Sequence, residues 1–294
     1  MKVKERVFIV GVPRSGTTLI QSLLASHPQI ETFPESHFFS CLISKGDWHQ
    51  KPWRKLLSML GIALPKGKIK FSDFLDLIGQ TNMKQYLPKT ALFARQYALV
   101  FVEILDRITK QKGKSVWLEK SPEHLYHIQS IEKWLDSAKF IHVIRNGADV
   151  VSSLYDVTRK YDWGEPWEID RCIHCWIQGT NTSRKHLHKH NHILVRYELL
   201  VEDPRSVLVE VCEFLGLRFT EEMVLERSNR AKKTIKNTEL WKNSVSEPIK
   251  NANGTKFYKL FNEEQRQYIL SQISKVCIDD LSTSKKKEIL KSAP

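Results

Sequence analysis

The chain has 294 residues, 46 Lys and Arg against 33 Asp and Glu, a formal net charge of +13, and 41% hydrophobic residues. Such a chain can build one large or two modest cored domains, and its composition excludes a disordered tail or a repeat array. No apolar run approaches the ~20 residues of a membrane span, and the short run Val7 to Val10 behind a basic N-terminus is too brief for an export signal. Cys41, Cys172, Cys175, Cys212 and Cys277 are odd in number and scattered, which is no disulfide framework and points to a reducing cytoplasm. The positive excess favours a polyanionic partner, whether nucleotide, nucleic acid, anionic membrane or acidic peptide.

In chain order, Arg6 to Gly11 reads as a buried strand ending at glycine. Leu19, Ile20, Leu23 and Leu24 then recur at helical spacing until His27-Pro28 stops the helix. A long stretch follows, about 36 to 114, without convincing strands. Its apolar groups (Trp53, Leu56, Leu57, Leu60; Phe74, Leu75, Ile78; Phe93, Tyr97, Phe101, Ile104, Leu105, Ile108) predict helices, two of them stopping at Gly61 and Gly79. This is expected to be a helical insertion placed to shape a site. Strand then helix returns at Val116 to Leu118 with a helix over about 122–135, and at Phe140 to Ile144 with a helix from about Ala148. A fourth strand, Ile193 to Val195, precedes Asp203-Pro204, a cap with proline at the first helical position, and a helix ending near Gly216. The alternation predicts an α/β fold of three layers, a central parallel sheet with helices on both faces. A single domain over 1–281 and a basic tail over 282–294 are expected.

Gly11-Val12-Pro13-Arg14-Ser15-Gly16-Thr17-Thr18 has the frame of a nucleotide P-loop, placed after a strand and before a helix. A nucleoside-triphosphate loop carries lysine where Thr17 stands. Backbone N–H groups at the helix start, with the hydroxyls of Ser15, Thr17 and Thr18, still suit a 5′-phosphate without a triphosphate tail. No carboxylate pair at metal-binding spacing appears, so no metal is expected. A nucleotide kinase and a basic nucleic-acid-binding module stand as alternatives, the first weakened by Thr17 and the second supported by charge alone.

The segment Val10 to Leu19 resembles the 5′-phosphosulfate loop of the sulfotransferases that use 3′-phosphoadenosine-5′-phosphosulfate (PAPS). It is most similar to the tyrosyl-protein and Golgi-type branch, which has arginine at the position of Arg14. Phe140 to Gly147 with Ser153, eight positions after Arg145, matches the family's 3′-phosphate signature. Trp117 to Pro122 resembles its central lysine segment, Val195 to Leu200 its arginine-tyrosine-glutamate segment, and Leu225 to Ser228 a late serine segment. The resemblance implies a P-loop-like sulfotransferase fold, with PAPS bound by Pro13, Arg14, Ser15, Gly16, Thr17, Thr18, Arg145, Ser153 and Tyr197, the tyrosine lying against the adenine. It implies transfer to an acceptor hydroxyl on a tyrosine peptide, glycan or small metabolite, leaving adenosine 3′,5′-bisphosphate. Arg14 and Lys120 would stabilise charge, Ser228 would be a neutral donor, and Glu35, 21 positions after Arg14, would be the base. The partners expected are the acceptor and, as a homodimer, a second copy of the chain; nucleic acid and membrane are not expected.

Cytosolic family members use a histidine two residues after the central lysine, where this chain has Pro122. Glu123 and His124 lie close by as alternative bases, although a solvated helix start accounts for both. His186, His188, His190 and His192 among Arg184, Lys185 and Lys189 read as a solvated basic face, and Cys172 and Cys175 as residues of a core helix. Thermal-shift measurement separates the enzyme readings: adenosine 3′,5′-bisphosphate should raise the unfolding midpoint without magnesium, and ATP with magnesium should not. The reverse pattern would favour a kinase.

Overall fold

The computed structural model describes residues 2–43, 56–57, 60–161, 164–225 and 254–278. Strands β1 (Glu5–Gly11), β2 (Ile30–Phe33), β3 (Val116–Lys120), β4 (Ala138–Ile144) and β5 (His192–Arg196) form one sheet in the order β2-β3-β1-β4-β5. The β2/β3 and β4/β5 pairs are parallel, with Ile30 opposite Val116 and Phe140 opposite His192. Every residue of β3 and the last five of β1 are buried, as strands covered on both faces must be. The chain leaves β1 for β2 and β3, then crosses to β4 and β5. That reversal puts the carboxyl ends of β1 and β4 side by side, where open α/β sheets bind ligands. No helix among the described residues is long and apolar enough to cross a membrane.

Two compact units divide the chain, Met1–Phe8 with Pro28–Lys139, and Ile9–His27 with Phe140–Pro294. In the first, the strand β2 was not foreseen. It is four residues long and carries Glu31, whose buried carboxylate accepts hydrogen bonds from Lys112 Nζ at 2.5 Å and Lys114 Nζ at 2.9 Å. Helices α2 (Phe38–Leu42), α3 (Pro65–Leu77) and α4 (Ala94–Gln111) form much of the expected insertion. Proline opens α3, and Gly79 at φ 68° follows its end. Tyr97, Phe101, Ile104, Leu105 and Ile108 bury one face of α4. There Phe101 stacks on Phe38 at 4.4 Å and meets Phe71 edge-on at 5.3 Å; each ring buried this way contributes about 2–3 kcal/mol. Trp53 lies outside the described residues. The helix expected over 122–135 is instead a 3₁₀ turn, Pro122–His127, followed by α5 (Ile128–Trp134).

The second unit holds α1 (Thr17–Leu24), α6 (Gly147–Lys160), α7 (Ile169–Arg184), α8 (Tyr197–Glu202), α9 (Pro204–Phe214), α10 (Glu222–Leu225), α11 (Thr255–Leu260) and α12 (Glu263–Ile273). Asn146 caps α6 by accepting from Ala148 N at 2.9 Å, and Asp203 caps α9 by accepting from Ser206 N at 3.0 Å. Val150, Leu154, Trp176, Phe257 and Ile269 share a core with Cys172. Burial, with the neighbouring Cys175, pushes the Cys172 thiol up to about 12, so it is an inert core thiol. The basic tail over 282–294 lies outside the described residues.

The histidine run departs from expectation. His188 and His190 are exposed, but His186 and His192 are buried. Their rings stack at 5.4 Å, and His192 Nδ1 shares a 2.8 Å hydrogen bond with Nε2 of fully buried His142. The run ends in β5, whose pleat turns His192 inward. Burial, then the neighbouring His192, His186 and Lys189, holds His142 well below its ordinary value of 6.5. Its folded-state pKa is depressed, so the stability it contributes is present above about pH 6.5 and is lost as pH falls below that. The unfolding free energy should decline between pH 6.5 and 5 with a slope approaching ~1.4 kcal/mol per pH unit for this one proton. His142→Asn should flatten that part of the profile measured by denaturant titration, and an unchanged slope would exclude His142 as its source.

Candidate functional site

In the second unit the loop after β1 is shaped by two glycines. A Cβ on Gly11 would lie 2.6 Å from the carbonyl oxygen of Val143, so only glycine lets β1 end this close to β4. Gly16, at φ 100°, begins α1, and a Cβ there would lie 2.3 Å from the Tyr197 ring. Arg14 also takes a left-handed conformation, at φ 73°, and its Nε donates to Ser153 Oγ on α6 at 3.1 Å. No side chain caps the N-terminus of α1. Ser15 Oγ is buried with no hydrogen-bond partner. A buried hydroxyl without a partner costs on the order of 1–3 kcal/mol. Set at the start of a helix that no side chain caps, it is a donor suited to the oxygens of an anion.

Arg145 follows β4 directly. Its guanidinium lies over the Tyr197 ring at 4.2 Å and 3.9 Å from Asp149 Oδ2. The turn that carries it is held from two directions. Its carbonyl accepts from Trp176 Nε1 at 3.0 Å, and the next N–H, of Asn146, donates to Glu198 Oε1 at 2.8 Å. Gly147 allows this, since a Cβ there would meet Trp176 and Ile273 at 3.0–3.1 Å. Arg14 is thus linked to Ser153, and Gly16 and Arg145 to Tyr197, within one unit that also holds Ser15. Ser153 is joined to Arg14 rather than to Arg145, and the Tyr197 ring packs on Gly16 beneath Arg145.

In the first unit the structure brings Glu35 and Lys120 together. Lys120 Nζ donates to Glu35 Oε1, and His37 Nε2 lies 3.3 Å from Glu35 Oε2. His37 Nδ1 donates to Glu123 Oε1. Burial pushes Glu123 up, but the hydrogen bond and charge of His37, with His124, outweigh it and bring the carboxyl down to about 2.

Beside this lies Glu119, wholly buried. Its Oε1 accepts from Ser36 N at 3.1 Å, Ser36 Oγ at 2.8 Å and Ser121 Oγ at 2.6 Å. His124 Nδ1 lies 3.0 Å from Oε2, off-line for a hydrogen bond, so that contact is chiefly electrostatic. Burial opposes ionisation of Glu119, yet His124 and the three donors hold its carboxyl below the usual range. The reading of Glu123 and His124 as a solvated helix start therefore fails. Both ring nitrogens of His124 are engaged inside the protein, since Nε2 accepts from Phe39 N at 3.2 Å. Ser228 lies outside the described residues.

Two residues of this arrangement, His37 and Glu119, were not singled out from the sequence. A signal exists for Glu119, because Trp117-Leu118 runs without a polar break into Glu119-Lys120. Charged residues continuing a buried strand demand compensating partners nearby.

The family model described as "Sulfotransferase family" matches residues 6–221. The chain is 25% identical over 234 residues to the nodulation protein NoeE of Sinorhizobium fredii, covering 71% of this chain and 49% of that protein. It is 22% identical over 250 residues to protein-tyrosine sulfotransferase A of Caenorhabditis elegans, covering 83% and 58%. It thus spans about half the length of these curated relatives. Among solved structures it resembles the sulfotransferase domain of the Synechococcus PCC 7002 olefin synthase, with TM-score 0.59, 23% identity and coverage of 93% and 96%. It also resembles mouse sulfotransferase SULT7A1 complexed with PAP, with TM-score 0.54, 14% identity and coverage of 99% and 90%.

Gly16→Ala is expected to lower the unfolding free energy by about 1–3 kcal/mol, from its left-handed backbone and the clash with Tyr197. Retention of the wild-type midpoint would show that the loop can yield.

Proposed function

The chain belongs to the sulfotransferase family, and from that premise we propose that it transfers the sulfuryl group of PAPS to an acceptor hydroxyl. The observation that carries this reading is the anion cradle over residues 13–18, with its unpartnered Ser15 hydroxyl and with Thr17 where a triphosphate loop has lysine. The donor set fits a phosphosulfate without a triphosphate tail. Pro13, Arg14, Ser15, Gly16, Thr17 and Thr18 would hold the 5′ end, and Arg145 and Ser153 the 3′-phosphate, with Tyr197 beside the base. When bound, the nucleotide supplies the sulfuryl group and the leaving phosphate.

The chain's own residues do the rest. Glu35 receives the proton of the acceptor hydroxyl at a carboxylate oxygen. Lys120, already donating to Glu35 Oε1, supplies a fixed cation toward charge gathering on the transferring oxygens, as does Arg14. Ser228 is assigned a neutral donor role in the same step. The acceptor is a hydroxyl of a tyrosine peptide, glycan or small metabolite. A tyrosine hydroxyl comes first for testing, because relatives are named protein-tyrosine sulfotransferases and an acidic peptide suits the net charge of +13.

Four variants test these roles. Glu35→Gln should lower turnover by about 10²–10⁴-fold with donor affinity unchanged. Arg14→Ala and Lys120→Ala should each lower kcat by about two to three orders of magnitude. Arg145→Ala should instead weaken adenosine 3′,5′-bisphosphate by roughly ten- to a hundredfold in calorimetric titration. Full activity in the Glu35→Gln enzyme would remove Glu35 from the mechanism.

A further inference from the structure

We propose that His37 is a positioning residue for Glu35, a ring gripped between two carboxylates that fixes the orientation of the Glu35 carboxylate and its charge. The inference rests on the reading of Glu35 as the base. His37 Nε2 lies 3.3 Å from Glu35 Oε2, while Lys120 Nζ donates to Oε1, so each oxygen of Glu35 meets a different cation-bearing side chain. On its other side the ring donates through Nδ1 to Glu123. A carboxylate held through both oxygens, by a hydrogen bond on one and an ion-pair contact on the other, has its plane set before the acceptor arrives.

The backbone of His37 supports the assignment. It is left-handed, at φ 52°, which costs a residue with a Cβ about 1–2 kcal/mol. Such a conformation persists only where surrounding contacts over-determine it. Here His37 N donates to Ser121 Oγ at 3.0 Å, Ser36 donates twice to Glu119, and Phe38 N donates to Ser36 Oγ at 3.2 Å. The turn is thereby fastened to the end of β3, and it aims the imidazole back along its own segment at Glu35.

The charge balance follows from the two groups on the ring, Glu35 from its own segment and Glu123 from the 3₁₀ turn, together with Lys120 on the other oxygen of Glu35 and the charge of His124 acting on Glu123. Glu123 remains ionised to about pH 2. Two carboxylates facing the two ring nitrogens favour a ring with N–H on both, which is the charged imidazolium. Removing that ring takes its charge away from between Glu123 and Glu35, two like charges, while Lys120 still holds Oε1, so Glu35 should take up a proton at higher pH.

The test compares His37→Gly, which keeps the left-handed turn without strain, with His37→Gln, which keeps a neutral donor, and with Glu35→Gln as reference. In steady-state assays with PAPS and an acceptor, His37→Gly should lower kcat by about 10–100-fold, with the KM for PAPS within about twofold of wild type. The acid limb of its kcat profile should move up by about one pH unit. His37→Gln should recover part of kcat but keep the displaced limb, a combination that simple loss of packing would not give. If Glu35→Gln is inactive while His37→Gly shows wild-type kcat and pH profile, or a raised KM for PAPS with unchanged kcat, the role of His37 is overturned and that of Glu35 stands. If Glu35→Gln is fully active, the underlying assignment fails instead.

Discussion

Glu119 carries a charge into a place that water does not reach, and much of the first unit follows from how that charge is satisfied. An unpaired buried carboxylate costs several kcal/mol, far more than a single hydrogen bond returns. Three donors and a histidine must therefore close on it, and two of the donors come from Ser36. The segment after β2 is pinned to the last residues of β3 as a result. Neighbouring strand residues point to opposite faces, so while Glu119 holds the turn, Lys120 reaches Glu35 on the other side. A partner placed for burial energetics thus also brings together the two groups to which the chemistry is assigned.

The second unit meets a different constraint, the close approach of backbone to backbone. Gly11 lets β1 end against the carbonyl of Val143, and Gly16 lets the Tyr197 ring lie on the loop. The turn after β4 is then fastened through its own carbonyl and N–H, to Trp176 and Glu198. These bonds leave the guanidinium of Arg145 above an aromatic ring, a position that confines a long side chain before any ligand is bound. Glu198 beside Tyr197 has a structural task here: it orders the strand-end turn that bears the arginine.

Elements with an unambiguous signal were legible in the sequence. The apolar runs of β1, β3, β4 and β5, the Asp203-Pro204 cap and the apolar face of α4 all stand where their residues imply. The edge strand β2 was hidden because it is short and interrupted by Glu31, a residue made tolerable by two lysines more than eighty positions away. The single helix expected after Pro122 was wrong because its first turn is wound as 3₁₀, which puts His124 over Glu119. His186 and His192 looked solvated because local composition is basic, while their burial depends on the pleat of β5 and on His142, fifty residues away from His192. His37 was invisible for a similar reason: its partners Glu123 and Ser121 are close in space and more than eighty residues away in sequence.

The net charge of +13 is only partly placed by this arrangement. Arg14, Lys120 and Arg145 are the cations for which a role toward the donor nucleotide is proposed, whereas Lys232, Lys233, Lys236 and Lys242 fall outside the described residues. The most direct test of the central claim is turnover of sulfur-35-labelled PAPS by the purified chain, without added metal, against acidic tyrosine peptides, oligosaccharides and small hydroxyl compounds. Label should pass to one hydroxyl class, with one adenosine 3′,5′-bisphosphate released per sulfated acceptor. Failure to bind the nucleotide, or binding with label retained on the protein and never passed to an acceptor, would contradict it.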